Sequence, residues 1–189
     1  LEESQAKDTV SLNAEYLVYT PAEKPDAALP LVIYLHGAGG VGDDIRKING
    51  QVRPLWQGIQ KFVKTPCILV APQCEKRARE GGGWIPGDLN IFLEHLKSKY
   101  NIDTKRIFLT GNSMGGYGTW AWGAHNPDHF AAIAPISGGL GMGGPKDVTP
   151  QFDKWIANLA SVPVYAFAGA KDRVVPAELF QRASAAIEK

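Results

Sequence analysis

Apolar positions in this chain fall in short continuous blocks rather than in strict alternation. Residues 31–35, 67–71, 107–110, 130–136 and 162–168 are each largely aliphatic or aromatic, the pattern of strands covered on both faces. Segments with helical spacing lie between them. Leu89, Phe92, Leu93, Leu96 and Tyr100 form one helical stripe, with Asp88 expected as its cap. Further helices are expected near 56–63, over 116–126 up to the stop at Asn126-Pro127, over 152–159 and over 176–187. Residues 12–20 alternate loosely around Tyr16, Val18 and Tyr19 and read as an antiparallel edge strand. Pro72 is expected to close the strand that starts at Cys67. Residues 21–30 read as a polar turn, and 75–83 and 137–150 as surface loops. Strands taking turns with helices predict a mostly parallel central sheet flanked by helices, one α/β domain over residues 1–189.

Composition narrows the function. The chain carries a net charge of +1 with 44% hydrophobic and 21% charged residues, so nothing in it argues for a nucleic-acid partner or an anionic membrane surface. No apolar run approaches the ~20 residues of a membrane-spanning helix. Cys67 and Cys74 flank a predicted strand. At ~3.3 Å per residue they stand roughly 20 Å apart, far beyond disulfide reach. Two free thiols are expected, one of them buried. The histidines are scattered and no metal-ligand spacing is present, so no metal is expected.

The candidate chemistry lies just beyond the apolar blocks. Residues 107–110 run into Gly111-Asn112-Ser113-Met114-Gly115, a Gly-x-Ser-x-Gly placed between a predicted strand and a predicted helix. A serine on so sharp a turn needs small neighbours two residues away on either side, and Gly111 and Gly115 supply them. A serine hydroxyl is a weak nucleophile, so it needs a base, a group to orient that base and donors for the oxyanion. The Met114 N–H at the start of the next helix is one expected donor. The glycine-rich turn His36-Gly37-Ala38-Gly39-Gly40 after residues 31–35 offers the other, Ala38 first and Gly39 next. Asp172, after residues 162–168, is the expected acid. Asp147 and Asp153 follow no core strand and are weaker candidates. In parallel α/β sheets ligands bind beyond the carboxyl ends of the strands, so these residues are expected to gather on one rim. Each has a plain alternative: a glycine-rich turn at 111–116, a flexible loop at 36–40, a capping aspartate at 172.

The base is the missing part. The expected chain order is serine, acid, histidine, and no histidine follows Asp172. His36 is expected to brace the glycine-rich turn, and His95, His125 and His129 to be structural or superficial. A further strand and a loop bearing the histidine are therefore expected beyond Lys189, since 162–168 would otherwise be left as an open sheet edge. Trp84 is expected either to line the substrate pocket or to cover the 88–100 helix from the edge of the core. Trp120 and Trp122 are expected to pack in the core.

Together these segments resemble the α/β-hydrolase superfamily. The resemblance is closest to esterases related to polyhydroxybutyrate depolymerases and to carbohydrate esterase family 1, which includes feruloyl and acetylxylan esterases. It rests on residues 30–40, on Ala71-Pro72-Gln73 with Trp84 after it, on Tyr100-Asn101-Ile102-Asp103 leading into 106–116, and on Gly169-Ala170-Lys171-Asp172. It implies an α/β-hydrolase fold lacking its last strand and helix. It also implies a serine carboxylic-ester hydrolase without metal or organic cofactor, acting on a small or polymer-attached ester and often secreted. The site residues it implies are Ser113, Asp172, Ala38 and Met114. A prolyl-oligopeptidase-type peptidase and a hydrolase-fold binding module without catalysis are the alternatives. The sequence leaves the acyl group, the alcohol and the oligomeric state open.

Overall fold

The apolar block around Leu31 lies within the sheet, between the two strands that follow it in sequence and not beside the one that precedes it. A computed structural model describes residues 2–3, 9–22, 26–75, 83–139 and 152–187. Six strands, β1 (Glu2–Glu3), β2 (Leu12–Tyr19), β3 (Leu29–Leu35), β4 (Ile68–Cys74), β5 (Ile102–Asn112) and β6 (Ala132–Ile136), form one sheet in the order β1-β2-β4-β3-β5-β6. β3 runs parallel to β4 and β5, and β5 parallel to β6, while β2 is antiparallel to β4 and to β1. Among the described residues the α-helices are α1 (Asn49–Phe62), α2 (Pro86–Lys99), α3 (Met114–His125), α4 (Phe152–Ile156) and α5 (Ala177–Ile187). This is the α/β-hydrolase fold. None of the described helices is long and apolar enough to cross a membrane.

Strand periodicity divides the core between the two faces of the sheet. Leu31, Ile33 and Leu35 of β3, with Ile68 and Val70 of β4, meet α2 and α3 through Leu89, Phe92, Leu93, Leu96, Trp120 and Trp122. Tyr34, Leu69 and Ala71 point the other way, onto Val52 of α1 and onto Ile45 and Ile48. Each large side chain fully buried here contributes about 1.5–3 kcal/mol against its exposed state.

Several expectations are corrected. β2 is not the edge, because β1 pairs outside it at Glu2↔Tyr16. β4 continues through Pro72 to Cys74. Its parallel pairing with β3 ends at Val70, so beyond that point only the β2 side has a ladder that a missing N–H can interrupt. α1 begins at Asn49, with Pro54 inside it. Asp88 is not a cap. Pro86 opens α2 and Ile85 precedes it, while the Asp88 carboxylate accepts from the N–H of Ser11 at 2.8 Å, the N–H of Val10 at 3.2 Å and the Ser11 hydroxyl. It thereby ties the start of β2 to α2. Cys67 and Cys74 are free thiols and both are buried.

Residues 163–168 do not form the full strand that their apolar character predicts. They touch β6 at two bridges, Ile133↔Val164 and Ile136↔Phe167. Val164 and Phe167 lie in a run of backbone bonds: Ile133 N–H to Pro163 O, Tyr165 N–H to Ile133 O, Phe167 N–H to Pro135 O and Ser137 N–H to Phe167 O. The bond this pattern lacks is from residue 135 to the Tyr165 carbonyl. Residue 135 is a proline, with no hydrogen to give.

Candidate active site

Between the last residue of β5 and the first of α3 stands a single residue, Ser113, at φ 56° and ψ −118°. That left-handed conformation costs a non-glycine residue roughly 1–3 kcal/mol and persists only where surrounding structure enforces it. The enforcement is visible. A Cβ on Gly115 would sit 1.8 Å from the Leu35 carbonyl oxygen, and one on Gly111 would sit 2.4 Å from the Gly115 oxygen. Strand and helix thus meet backbone to backbone. The Ser113 N–H donates to Ile136 O at 3.0 Å, and the Ser113 carbonyl accepts from the Tyr117 N–H at 3.0 Å. α3 is buried from Met114 to Ala124, while Ser113 itself stays partly exposed. The Met114 N–H belongs to the first helical turn, where N–H groups have no partner within the helix.

The glycine-rich turn closes on the serine. A Cβ on Gly37 would lie 3.5 Å from Ser113 Cβ and 3.3 Å from Asn112 O. Residues Ala38–Gly40 form a 3-10 turn. Among the described residues, no acceptor is bonded to the N–H of Ala38 or of Gly39. The rest of the turn is held on several sides. Gln73 Nε2 donates to Gly40 O at 2.8 Å and to Asp44 O at 2.9 Å, and Lys47 Nζ donates to Val41 O at 2.9 Å. Gln51 of α1 accepts the Gly37 N–H on Oε1 at 2.9 Å.

His36 is the brace beneath this turn. It is fully buried. Its Nε2 accepts the Cys74 N–H at 2.9 Å, so the proton sits on Nδ1, which donates to Gly37 O at 2.7 Å. Burial pushes its pKa down to about 4, with Lys47 adding to the fall and the Gly37 bond opposing it. His36 is therefore a neutral strut with both nitrogens engaged.

Asp172 reaches the same rim from the far side of β6. It ends a turn in which its N–H donates to Gly169 O at 3.0 Å. Its Oδ1 accepts from the N–H of Val174 at 2.8 Å and of Val175 at 3.0 Å. The Val175 and Val174 amides, and then the Ser137 side chain, hold its carboxyl below the usual carboxylate range. Ser137 links the two halves of the site. It follows Ile136, whose carbonyl takes the Ser113 N–H, and its side chain lies near enough to Asp172 to add to the lowering of that carboxyl's pKa. Ser137 also has a positive φ, 46°. Tyr117, four residues beyond Ser113, lies near enough to Asp172 to feel its charge; burial first and that charge second push its phenol up to about 12.

The profile of the dienelactone hydrolase family matches residues 74–189, more than half of the chain. The chain belongs to the dienelactone hydrolase family. Among curated proteins it is 26% identical over 138 residues to poly(3-hydroxyalkanoate) depolymerase C of Paucimonas lemoignei, covering 67% of this chain and 32% of that protein. It is 28% identical over 136 residues to a probable feruloyl esterase C of Aspergillus oryzae, covering 67% of this chain and 47% of that protein. The chain thus spans a third to a half of the length of these relatives. Among solved structures, a thermostable esterase superposes with a TM-score of 0.75 at 30% identity, over 92% of this chain and 47% of that one.

In this dienelactone hydrolase family member Ser113, Ala38 and Met114 stand together. Asp172 lies near the Ile136–Ser137 step, whose Ile136 carbonyl takes the Ser113 N–H. Trp84 departs from the expectation of a substrate contact. It is 1% exposed, its ring meets that of His36 edge-on at 4.8 Å, and its indole N–H donates to His36 O at 3.3 Å. Its seat is cut by Gly118, where a Cβ would lie 2.6 Å from the indole. Trp84 thus packs behind the glycine-rich turn and offers a substrate no surface. Trp120 and Trp122 are buried in the core. His95 packs on Tyr16, and His125 bonds to Ala121 O at 2.7 Å at the distal end of α3, roughly 18 Å of helix from Ser113. His129 lies in the 3-10 turn just after α3. Asp147 and the Asp153 side chain lie outside the described residues. Sequence reasoning missed Gln51 and Ser137. Gln51 lies outside the predicted 56–63 helix, and Ser137 opens the predicted 137–150 loop. The signal for Ser137 was its place directly after an apolar block, the same place that singled out Asp172.

Proposed function

We propose that this chain carries the nucleophile, the acid and both oxyanion donors of a serine carboxylic-ester hydrolase. Ser113 Oγ attacks the ester carbonyl carbon and its proton passes to an imidazole seated beside Asp172. The carbonyl oxygen becomes an oxyanion held by the N–H groups of Ala38 and Met114. Collapse of the tetrahedral intermediate breaks the C–O bond, and the alcohol leaves with the proton from the imidazolium. Water then cleaves the acyl-enzyme by the same steps in reverse. None of the four histidines fits that seat, because His36 has both nitrogens engaged and the other three belong to elements away from Ser113, so the proposal requires an imidazole that residues 1–189 do not supply.

The observation that carries this reading is the strained Ser113, facing a turn whose Ala38 N–H has no acceptor among the described residues. The named activities of the depolymerase and feruloyl esterase relatives favour esters attached to a polymer. The test uses the full native polypeptide containing these residues. It should cleave short p-nitrophenyl esters in preference to the matching amides and react with a fluorophosphonate. Ser113→Ala should lower kcat by about 10⁴–10⁶-fold. An alanine variant at full rate would remove Ser113 from the mechanism, and amide cleavage matching ester cleavage would favour a peptidase. The 189-residue chain alone should turn over slowly, on its oxyanion donors only.

A further inference from the structure

A concavity lies away from Ser113. A groove of about 530 Å³ runs between the Leu17–Tyr19 end of β2 and one face of α1. Tyr19 pairs with Leu69 near the start of β4, whereas the catalytic turns leave the parallel strands at their other ends, where Leu12 meets Cys74. Five residues at about 3.3 Å each separate the two levels, about 16 Å. No nucleophile, acid or oxyanion donor of the candidate active site lines the groove.

Its lining is specific. Asn49, Arg53, Trp56, Gln57 and Gln60 recur at three- and four-residue steps and so share one side of α1. Val52, Leu55 and Ile59 take the side that faces the core. Trp56 and Tyr19 are half-buried against that core, with ring centroids 5.4 Å apart and planes 33° from parallel. The Tyr19 hydroxyl donates to Asn49 Oδ1 at 2.8 Å, which leaves the Asn49 NH₂ as a donor. Arg46, at the upper end, is already committed to Asp44 by two bonds of 2.8 and 3.0 Å. Arg53 has no ion pair among the described residues, and no carboxylate lines the groove.

This inventory selects a ligand class. A purely apolar ligand would strand three carboxamides and a guanidinium. A polyanion would find one uncommitted cation. A sugar chain presents ring faces of C–H bonds to an aromatic plane and, at its edges, hydroxyls that both donate and accept, which suits carboxamides and a guanidinium. From Asn49 to Gln60 the helix rises about 16 Å, the span of a short oligosaccharide rather than of one small molecule. We propose that this groove is a binding site for a neutral saccharide chain, separate from the site at Ser113. The proposal does not depend on what Ser113 catalyses.

The test uses the full native polypeptide containing these residues, with Ser113 capped by a fluorophosphonate or replaced in Ser113→Ala. Electrophoresis through gels containing soluble arabinoxylan or mixed-linkage β-glucan should show retardation by at least one of them. Calorimetry with the matching oligosaccharides should give a dissociation constant. Arg53→Ala and the exposed pair Gln57→Ala/Gln60→Ala should each weaken binding about tenfold, the loss of one or two hydrogen bonds, and Trp56→Ala should abolish it. Because Trp56 is half-buried, the exposed variants decide the matter if Trp56→Ala fails to fold. Three results would overturn the proposal: no retardation by either glycan, retardation unchanged in the Arg53 and Gln57/Gln60 variants, or binding to heparin alone that vanishes with added salt.

Discussion

The two halves of the candidate active site are built in different ways. The serine half, where β3, β5 and α3 converge, is backbone against backbone. Leu35 is fully buried, and there is no room for a methyl group at Gly115. The acid half is a turn on a segment that touches β6 at two bridges. Asp172 is oriented there by two amides of its own turn. Packing sets Ser113, whereas a few hydrogen bonds set Asp172. Substitutions in the serine half should therefore register first as lost stability, and those in the acid half as lost activity in a protein that still folds.

Asp172→Asn tests the acid half and carries the largest expected effect. An asparagine Oδ1 still accepts from Val174 and Val175, so the turn should persist and urea unfolding should shift by less than about 1 kcal/mol. The carboxylate that would hold the imidazole tautomer is gone, so kcat/KM of the full native polypeptide should fall by about 10³–10⁴. A large stability loss with little change in rate would invert the contrast. Gly115→Ala is its counterpart. The added methyl meets the Leu35 carbonyl, a backbone atom that cannot swing aside. Unfolding free energy should drop by about 3 kcal/mol or more, measured by chemical denaturation. A soluble variant of wild-type stability would show that the elbow is looser than its contacts indicate.

The serine half should also be the acid-sensitive one. His36 is held neutral in the fold with a pKa of about 4, against about 6.5 in an unfolded chain. Below pH 6.5 the unfolded chain binds the extra proton, so stability falls as pH drops from 6.5 through 4. At about 1.4 kcal/mol per pH unit the loss approaches 3 kcal/mol. The Asp172 carboxyl is also depressed, so what it contributes is kept above its unfolded value near pH 4 and fades only below it. Melting temperatures between pH 7 and pH 4 should therefore fall in wild type, and by less in His36→Gln. Equal slopes would remove His36 as the source.

The same contrast governs what could be read from the sequence. The fold class was legible because the strands are buried on both faces, and so was the elbow, because Gly111, Ser113 and Gly115 mark a close approach that only small residues permit. The limits of elements were less legible. β5 starts at Ile102 because Leu29 of β3 pairs with it across the polar stretch Asp103–Arg106, a tertiary contact that local polarity hides. α3 is buried all round, so it shows no stripe. The broken ladder at 163–168 turns on Pro135 in the neighbouring strand. Trp84 reads alike as a pocket wall or as core, and only its contacts with His36 and Gly118 decide.

Gln51 offers the finest test of the comparison, because it touches the serine half from outside the sheet. Its Oε1 takes the N–H of Gly37, the residue just before the proposed donor Ala38. Gln51→Ala strands that buried N–H, though Gln51 is itself only half-buried and water can partly replace it. Stability should fall by about 1 kcal/mol. If the turn then drifts, the oxyanion loses alignment while substrate binding does not, so kcat should fall about tenfold with KM nearly unchanged. Gln51→Glu separates the two effects. Its carboxylate still accepts from Gly37, so stability should return, but a negative charge now faces the place where the oxyanion forms, so kcat should stay low. Wild-type kcat in both variants would mean that His36, Trp84 and Gln73 hold the turn without help from α1, and that the serine half is as self-sufficient as its backbone packing suggests.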